Sequence, residues 1–274
     1  MVEGAYRRDG FTIAAGAIPA AALDAVATDI HGIFARAAQT VGLAVPNSSG
    51  HEALSRLLHS LFARDSAAYL ACARQTQYLA SVHRVGLSPP IAGLLDQLGI
   101  AVPTQSTRPV IHFMADGLRF EGGYHKSPAH QDWRSVQGSL DGLTLWLPLY
   151  DVGSGDFPLE VVPGSQRQGL LDSVDDAFGH RLADAAVPPD ADFRALPMRR
   201  GDVAAFSGFL VHRTGTVGGD RVRIALSYRF NNAAEASYIS RLYPNPYTYR
   251  GDMSLLGLTP GPADVAPFFG GDDA

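Results

Sequence analysis

The chain has 274 residues, 46% hydrophobic and 18% charged, a composition suited to a globular protein with a sizeable core. Its formal net charge is −5, and Lys126 is the sole lysine among 22 basic residues, so there is no bulk basic field for nucleic acid. No stretch approaches the ~18 uninterrupted apolar residues of a membrane span, and a single cysteine, Cys72, excludes an internal disulfide framework and fits a reducing compartment.

At the start, Arg7, Arg8 and Asp9 do not lead into the apolar run of a secretory signal. The Ala-rich stretch from Phe11 to Ile30 is broken by Pro19, Asp24 and Asp29, so a soluble cytoplasmic protein is expected. Pro19 sits near a helix start, and Leu23, Val26, Ile30, Ile33 and Phe34 recur at the spacing of one buried helix face. A second helix is predicted from His51 to Ala63, with Leu54, Leu57, Leu58 and Leu61 on its apolar side. A third begins at Asp65, a suitable N-cap, and carries Tyr69, Leu70 and Ala73, with Cys72 packed rather than reactive. A short fourth, Ile91 to Leu98, follows the Pro89-Pro90 breaker.

From Arg108 the period changes. Short apolar or alternating runs follow at Arg108–Met114, Leu143–Tyr150, Leu159–Val162, Phe193–Pro197, Val203–Phe206, Leu210–Arg213 and Val222–Phe230. Turn-rich clusters separate them, so the expected fold is mainly β with flanking helices: a double-stranded β-helix, or cupin-like jelly roll, behind a helical N-terminal third. Asp172 to Asp192 reads as a loop or insertion, and the tail from Asn245 to Ala274 as a surface wrap or frayed end. No repeat or linker divides the chain. One domain is expected, with residues 1–107 as mostly helical support, 108–232 as jelly-roll core and 233–274 as C-terminal extension.

The chemistry-bearing motif is His130-Gln131-Asp132-Trp133. On an extended strand His130 and Asp132 share a face, because strand side chains alternate. His212, 80 positions after Asp132, would complete a two-His, one-carboxylate set. That set leaves one face of a six-coordinate metal open, as in non-haem Fe(II) oxygenases. A His-X-Asp tripeptide alone is weak among nine histidines, but no other His-X-Asp or His-X-Glu occurs in the chain. Eleven residues after His212 comes Arg223, which alternation places on one face with Ala225 and Ser227, opposite Val222, Ile224 and Leu226. An inward arginine needs an anionic partner, and its planar fork suits a carboxylate. A dicarboxylate cosubstrate would meet that need.

With these residues the chain resembles the phytanoyl-CoA dioxygenase superfamily of Fe(II)/2-oxoglutarate oxygenases. Tyr6 to Ile13 is similar to the family's opening strand, and His130-Gln131-Asp132 to its metal motif. Trp146-Leu147-Pro148-Leu149 and Leu159 to Ser165 resemble its central strands, and Gly201-Asp202-Val203 precedes the distal histidine as the family's pattern does. Asn231-Asn232 and Tyr243 to Tyr247 are similar to bacterial members linked with sugar or secondary-metabolite pathways.

The resemblance implies that His130, Asp132 and His212 hold Fe(II), with 2-oxoglutarate and O2 as cosubstrates. It implies that Arg223 clamps the distal carboxylate of 2-oxoglutarate, assisted by Thr214, Trp146 and His112. Gln131 would brace the strand or touch substrate. Lys126 and Arg134, next to Tyr124 and His125, would form a substrate-gripping lip or solvated loop charge. Halogenating relatives replace the carboxylate with a small residue, so Asp132 favours hydroxylation, with desaturation, epoxidation and ring closure as outcomes of the same chemistry. The implied activity is hydroxylation of an unactivated C–H bond of a small metabolite, a sugar or natural-product intermediate, with release of succinate and CO2. The competing readings are an oxygenase acting on an acyl-CoA, a cupin-like isomerase or lyase that does not use 2-oxoglutarate, and a non-catalytic binding module.

Overall fold

In the computed structural model, residues 2–120, 126–177, 179–245 and 259–269 are described. The chain opens with α1 (Val2–Asp9) and β1 (Phe11–Ala14). Tyr6 to Asp9, expected as strand, is therefore helical, and Gly10 at φ 79° makes the turn between the two elements. A Cβ at Gly10 would lie 2.3 Å from Oε1 of Gln166, so a glycine is required there.

A helical layer follows: α2 (Ala20–Thr40), α3 (His51–Arg64), α4 (Ser66–Thr76), α5 (Ala80–Gly86) and α6 (Pro89–Gln97). The expected apolar faces are the buried ones, with Leu23, Val26, Ile30 and Phe34 on α2 and Leu54, Leu57, Leu58 and Leu61 on α3. Asp65 caps α4 by accepting a hydrogen bond from the Ala68 N–H at 2.9 Å, and Cys72 is buried. Helix α5 was not expected; with only Val82 and Val85 as buried apolar anchors, it is too short to show a period.

The β region comprises β2 (Pro103–Gln105), β3 (Val110–Met114), the short helix α7 (Trp133–Val136), β4 (Leu143–Pro148), β5 (Leu159–Val161), β6 (Ser173–Asp175), β7 (His180–Leu182), β8 (Arg194–Leu196), β9 (Val203–Ser207), β10 (His212–Thr214) and β11 (Arg223–Asn232). Two further helices, α8 (Ala236–Ser240) and α9 (Pro262–Phe269), complete the order. The larger sheet runs β1-β9-β4-β11-β2, with β3 also paired to β11; the smaller runs β10-β5-β8. Every pairing in these two sheets is antiparallel. The architecture is the expected double-stranded β-helix with helices outside.

Two open expectations gain detail. Asp172 to Asp192 is not plain loop: β6 and β7 pair as a hairpin within it. The tail contributes α9, whose Val265 and Phe269 are buried, with the Phe269 ring 5.9 Å from that of Tyr6. Residues 246–258 and 270–274 lie outside the described residues, so part of the Tyr243 to Tyr247 motif does too.

The central strands of the large sheet are buried on both faces, and alternation sorts them. Leu143, Leu145 and Leu147 of β4 and Ile224, Leu226 and Tyr228 of β11 join the helical core. Trp146 and Ala225 join a second cluster between the two sheets, with Ala204, Phe206, Leu159 and Val161. Each fully buried leucine here contributes about 2 kcal/mol. The same alternation fixes which side chains of β4 and β11 face the space between the sheets.

Candidate metal and cosubstrate site

His130 reaches the site through an isolated bridge to His212. Each backbone N–H donates to the other's carbonyl, at 3.0 and 3.1 Å. The chain then leaves the extended conformation: Asp132 has φ −65° and ψ −31° and starts α7. The shared strand face expected for His130 and Asp132 is therefore not how they meet; a bend carries the carboxylate to the two rings. Gln131 holds this bend. Its Nε2 donates to the carbonyls of Gly169 (2.9 Å) and Phe209 (2.7 Å), and its Oε1 accepts from the Leu171 N–H (2.8 Å). Gln131 thus braces the backbone, the first of its two expected roles.

One ligand atom from each of His130, Asp132 and His212 lies within 4.8 Å of the others, and all three residues are buried. Nε2 of His130 is 3.8 Å from Oδ1 of Asp132, and Nε2 of His212 is 4.0 Å from Oδ2. Each Nδ1 faces a backbone carbonyl, that of Pro128 at 2.8 Å for His130 and that of Leu210 at 2.9 Å for His212. A carbonyl only accepts, so Nδ1 carries the proton and each Nε2 presents its lone pair toward the Asp132 carboxylate, as a metal ligand would. Burial pulls the His130 pKa down to about 3 and lowers that of His212 as well.

The carboxylate is held from two sides. Thr144 Oγ1 donates to Oδ2 of Asp132 at 2.6 Å, and Arg229 Nη2 donates to Oδ1 at 2.7 Å. Burial opposes ionisation of Asp132, but the Arg229 charge, the adjacent imidazoles and the Arg229 hydrogen bond outweigh it and hold the pKa well below the usual carboxylate range. The site therefore presents two neutral imidazoles and one carboxylate at neutral pH, the donor set a divalent iron requires.

A cavity of about 200 Å³ opens beside the triad. Arg223 and Trp146 line it, with the guanidinium 5.5 Å from the indole centroid. Arg223 is 4% exposed, its Nε has no hydrogen-bond partner, and among the described residues no carboxylate pairs with it. Burial draws its pKa down to about 10, which still leaves it cationic at neutral pH. A desolvated guanidinium facing a cavity without its anion fits a bound dicarboxylate. Arg213 also lines the cavity but is satisfied by Glu160 (2.7 Å) and Asp190 (2.6 Å).

Thr214 and His112 line the same cavity. Thr214 Oγ1 accepts from the Ser127 N–H at 3.2 Å. Burial, then the charges of Arg223 and Arg229, hold the His112 pKa at about 3, so the ring is neutral. Lys126 and Arg134, expected as a lip or as solvated loop charge, are held by other parts of the chain. Lys126 donates to the Thr216 carbonyl at 2.9 Å and lies 4.4 Å from the Phe157 ring centroid. Arg134 donates to Ser173 Oγ at 3.3 Å. Neither lines the cavity, and Tyr124 and His125 fall outside the described residues. Arg229, Thr144, Ser127 and Ser135 were missed; alternation along β11 from Arg223 through Ser227 points to Arg229, whereas α7 hides the approach of Asp132 to Thr144.

The sequence profile of the family described as phytanoyl-CoA dioxygenase (PhyH) matches residues 6–225. The chain belongs to this family. Members activate dioxygen with iron and 2-oxoglutarate, and the protein is accordingly a non-haem oxygenase of that class.

Solved structures agree on the fold. The chain is similar to SnoN, a non-heme alpha-ketoglutarate-dependent epimerase from nogalamycin biosynthesis, at 18% identity and a TM-score of 0.57, covering 91% of this chain and 90% of that one. SnoN in complex with Fe3+, alpha-ketoglutarate and nogalamycin RO gives 19% identity and a TM-score of 0.54, with 91% of each chain covered. The non-heme monooxygenase ThoJ matches at 17% identity and a TM-score of 0.56, covering 85% of this chain and 77% of ThoJ. No curated protein sequence matches the chain. Among the described residues no helix is long and apolar enough to cross a membrane.

Proposed function

We propose that the protein hydroxylates an unactivated C–H bond of a small polar metabolite, a sugar or natural-product intermediate, with succinate and CO2 as coproducts. In this proposal His130, Asp132 and His212 hold Fe(II), and Arg223 clamps the distal carboxylate of 2-oxoglutarate beside Trp146, Thr214 and His112. When bound, iron, 2-oxoglutarate and O2 supply an oxidant strong enough to break an aliphatic C–H bond.

The chain's own residues have other tasks. The Nδ1–H bonds of His130 and His212 fix both rings, and the Leu159 and Phe206 side chains give the cavity apolar wall. Neutral His112 offers a hydrogen bond without adding charge between Arg223 and Arg229. The presence of Asp132, rather than a small residue that leaves room for chloride, supports hydroxylation over halogenation. Ser127, Ser135 and Ser227 line the cavity and favour a substrate bearing hydroxyl groups.

The observation that carries this proposal is the buried Arg223, which pairs with no carboxylate among the described residues, beside a buried His-Asp-His cluster. A cupin-like isomerase or lyase working without 2-oxoglutarate has no use for such an arginine. Fe(II) and 2-oxoglutarate, added to the apo-protein without oxygen, should produce a visible metal-to-ligand charge-transfer band, and His130→Ala or Asp132→Ala should remove it. A folded, iron-loaded sample with no band refutes the assignment. Once substrate is found, a product heavier by one oxygen atom supports hydroxylation, whereas an isomer of unchanged mass replaces it with epimerisation.

A further inference from the structure

We infer that Arg229 and Thr144 form a two-sided bracket that keeps Asp132 a one-oxygen ligand and so reserves metal positions for 2-oxoglutarate and O2. The inference rests on the metal-site assignment proposed above. Both are assigned as positioning residues on their contacts with the ligand carboxylate, although Arg229 also lines the cavity.

The geometry starts in the sheet. Arg229 of β11 and Thr144 of β4 are direct cross-strand partners, and both side chains reach the same carboxylate. Paired strands hold such residues at a fixed spacing, so neither donor can drift independently of the other. Asp132 is 3% exposed, and each of its oxygens takes a different donor: Arg229 Nη2 at 2.7 Å on Oδ1 and Thr144 Oγ1 at 2.6 Å on Oδ2. Both contacts are in the short range of charge-assisted hydrogen bonds. Together they resist rotation of the carboxylate plane.

That restraint matters for coordination. A carboxylate that chelates through both oxygens occupies two positions, whereas one bound through a single oxygen occupies one. With two imidazoles, a chelating Asp132 would leave two open positions instead of three. A bidentate cosubstrate and O2 need three. Arg229 helps keep Asp132 ionised, but its own positive charge opposes a divalent cation nearby, so the two effects on metal affinity offset each other. Its location is explained by orientation of the carboxylate.

The test separates metal binding from cosubstrate binding. Arg229→Met, Arg229→Lys and Thr144→Val are compared with wild type for anaerobic Fe(II) affinity, for 2-oxoglutarate affinity of the iron-loaded protein by calorimetry, and for the absorption spectrum of the Co(II)-substituted protein. In Arg229→Met we expect metal affinity equal to wild type or tighter, 2-oxoglutarate affinity weaker by about 10-fold, the equivalent of ~1.4 kcal/mol, and an altered Co(II) spectrum. Thr144→Val should show a smaller loss of the same kind, and Arg229→Lys should recover part of it.

Wild-type 2-oxoglutarate affinity in the variants overturns the inference. So does a parallel loss of metal and 2-oxoglutarate affinity, which marks a merely displaced ligand. Thr144→Val is close to isosteric and keeps the ion pair, so it decides the matter if Arg229→Met does not fold. A wild-type protein that binds neither iron nor 2-oxoglutarate refutes the functional assignment instead.

Discussion

Replacing Arg223 by methionine should stabilise the ligand-free protein while weakening its hold on 2-oxoglutarate. Burial draws the Arg223 pKa down to about 10, which corresponds to a penalty of about 3 kcal/mol for keeping the cation in the folded state. The Trp146 ring, 5.5 Å away, returns about 1 kcal/mol through its π face. Methionine can fill much of the vacated stem volume and carries no charge, so the net gain is about 2 kcal/mol. For a chain of this size that raises the midpoint of thermal unfolding by roughly 4 °C. The cosubstrate pays in the other direction: losing a fork-to-carboxylate contact costs about 3 kcal/mol of binding, or roughly 100-fold in affinity. Thermal unfolding of metal-free protein gives the first quantity, and anaerobic titration of the charge-transfer band gives the second. A variant that is less stable without ligands yet binds 2-oxoglutarate normally would show that Arg223 serves the fold and not the cosubstrate.

Gln131→Leu removes three hydrogen bonds to the backbone of Gly169, Phe209 and Leu171, and should cost about 3 kcal/mol in urea unfolding; an unchanged midpoint would remove its bracing role. The folded-state pKa of His112, about 3, lies below its unfolded value, so the stability it contributes is present above pH 6.5 and is lost as pH falls toward 3. Between pH 6.5 and 5.5 metal-free wild type should lose about 1 kcal/mol more than His112→Gln, and equal losses would contradict a buried neutral ring. At Gly86→Ala the new methyl would sit 2.4 Å from a Tyr228 ring carbon. Tyr228 is buried and donates to the Val82 carbonyl at 2.7 Å, so the ring cannot withdraw cheaply, and a loss of about 2 kcal/mol is expected by chemical unfolding.

The parts of the fold that sequence showed best are those where one physical pattern repeats several times. Four leucines on α3 and the alternating β11 run fall where their periods place them. Asp65 was visible as a cap because capping needs only a local side chain and a nearby N–H. Short elements without a full period, such as α5 and the β6–β7 hairpin, were not visible. The metal motif was identified on its residue types, but the strand argument for it failed, because Asp132 is the N-cap of α7 and the Gln131 side chain holds the bend through hydrogen bonds to distant backbone carbonyls. Lys126 and Arg134 show a different limit. Charges close to a motif in sequence can be a substrate lip or solvated loop charge, and only their partners, the Thr216 carbonyl and Ser173, which do not line the cavity, separate the two.

Strand β11 joins scaffold and chemistry through its two faces. Ile224, Leu226, Tyr228 and Phe230 lock one face into the helical core, so the strand's register is set by apolar packing. The other face then places Arg223, Ser227 and Arg229 along the cavity at fixed intervals. A shift of one residue would turn both guanidinia into the helical layer, where neither the cosubstrate nor Asp132 could meet them. The outer face of β11 therefore acts on the metal site without touching it, and the helices packed there are part of what sets the site's charge.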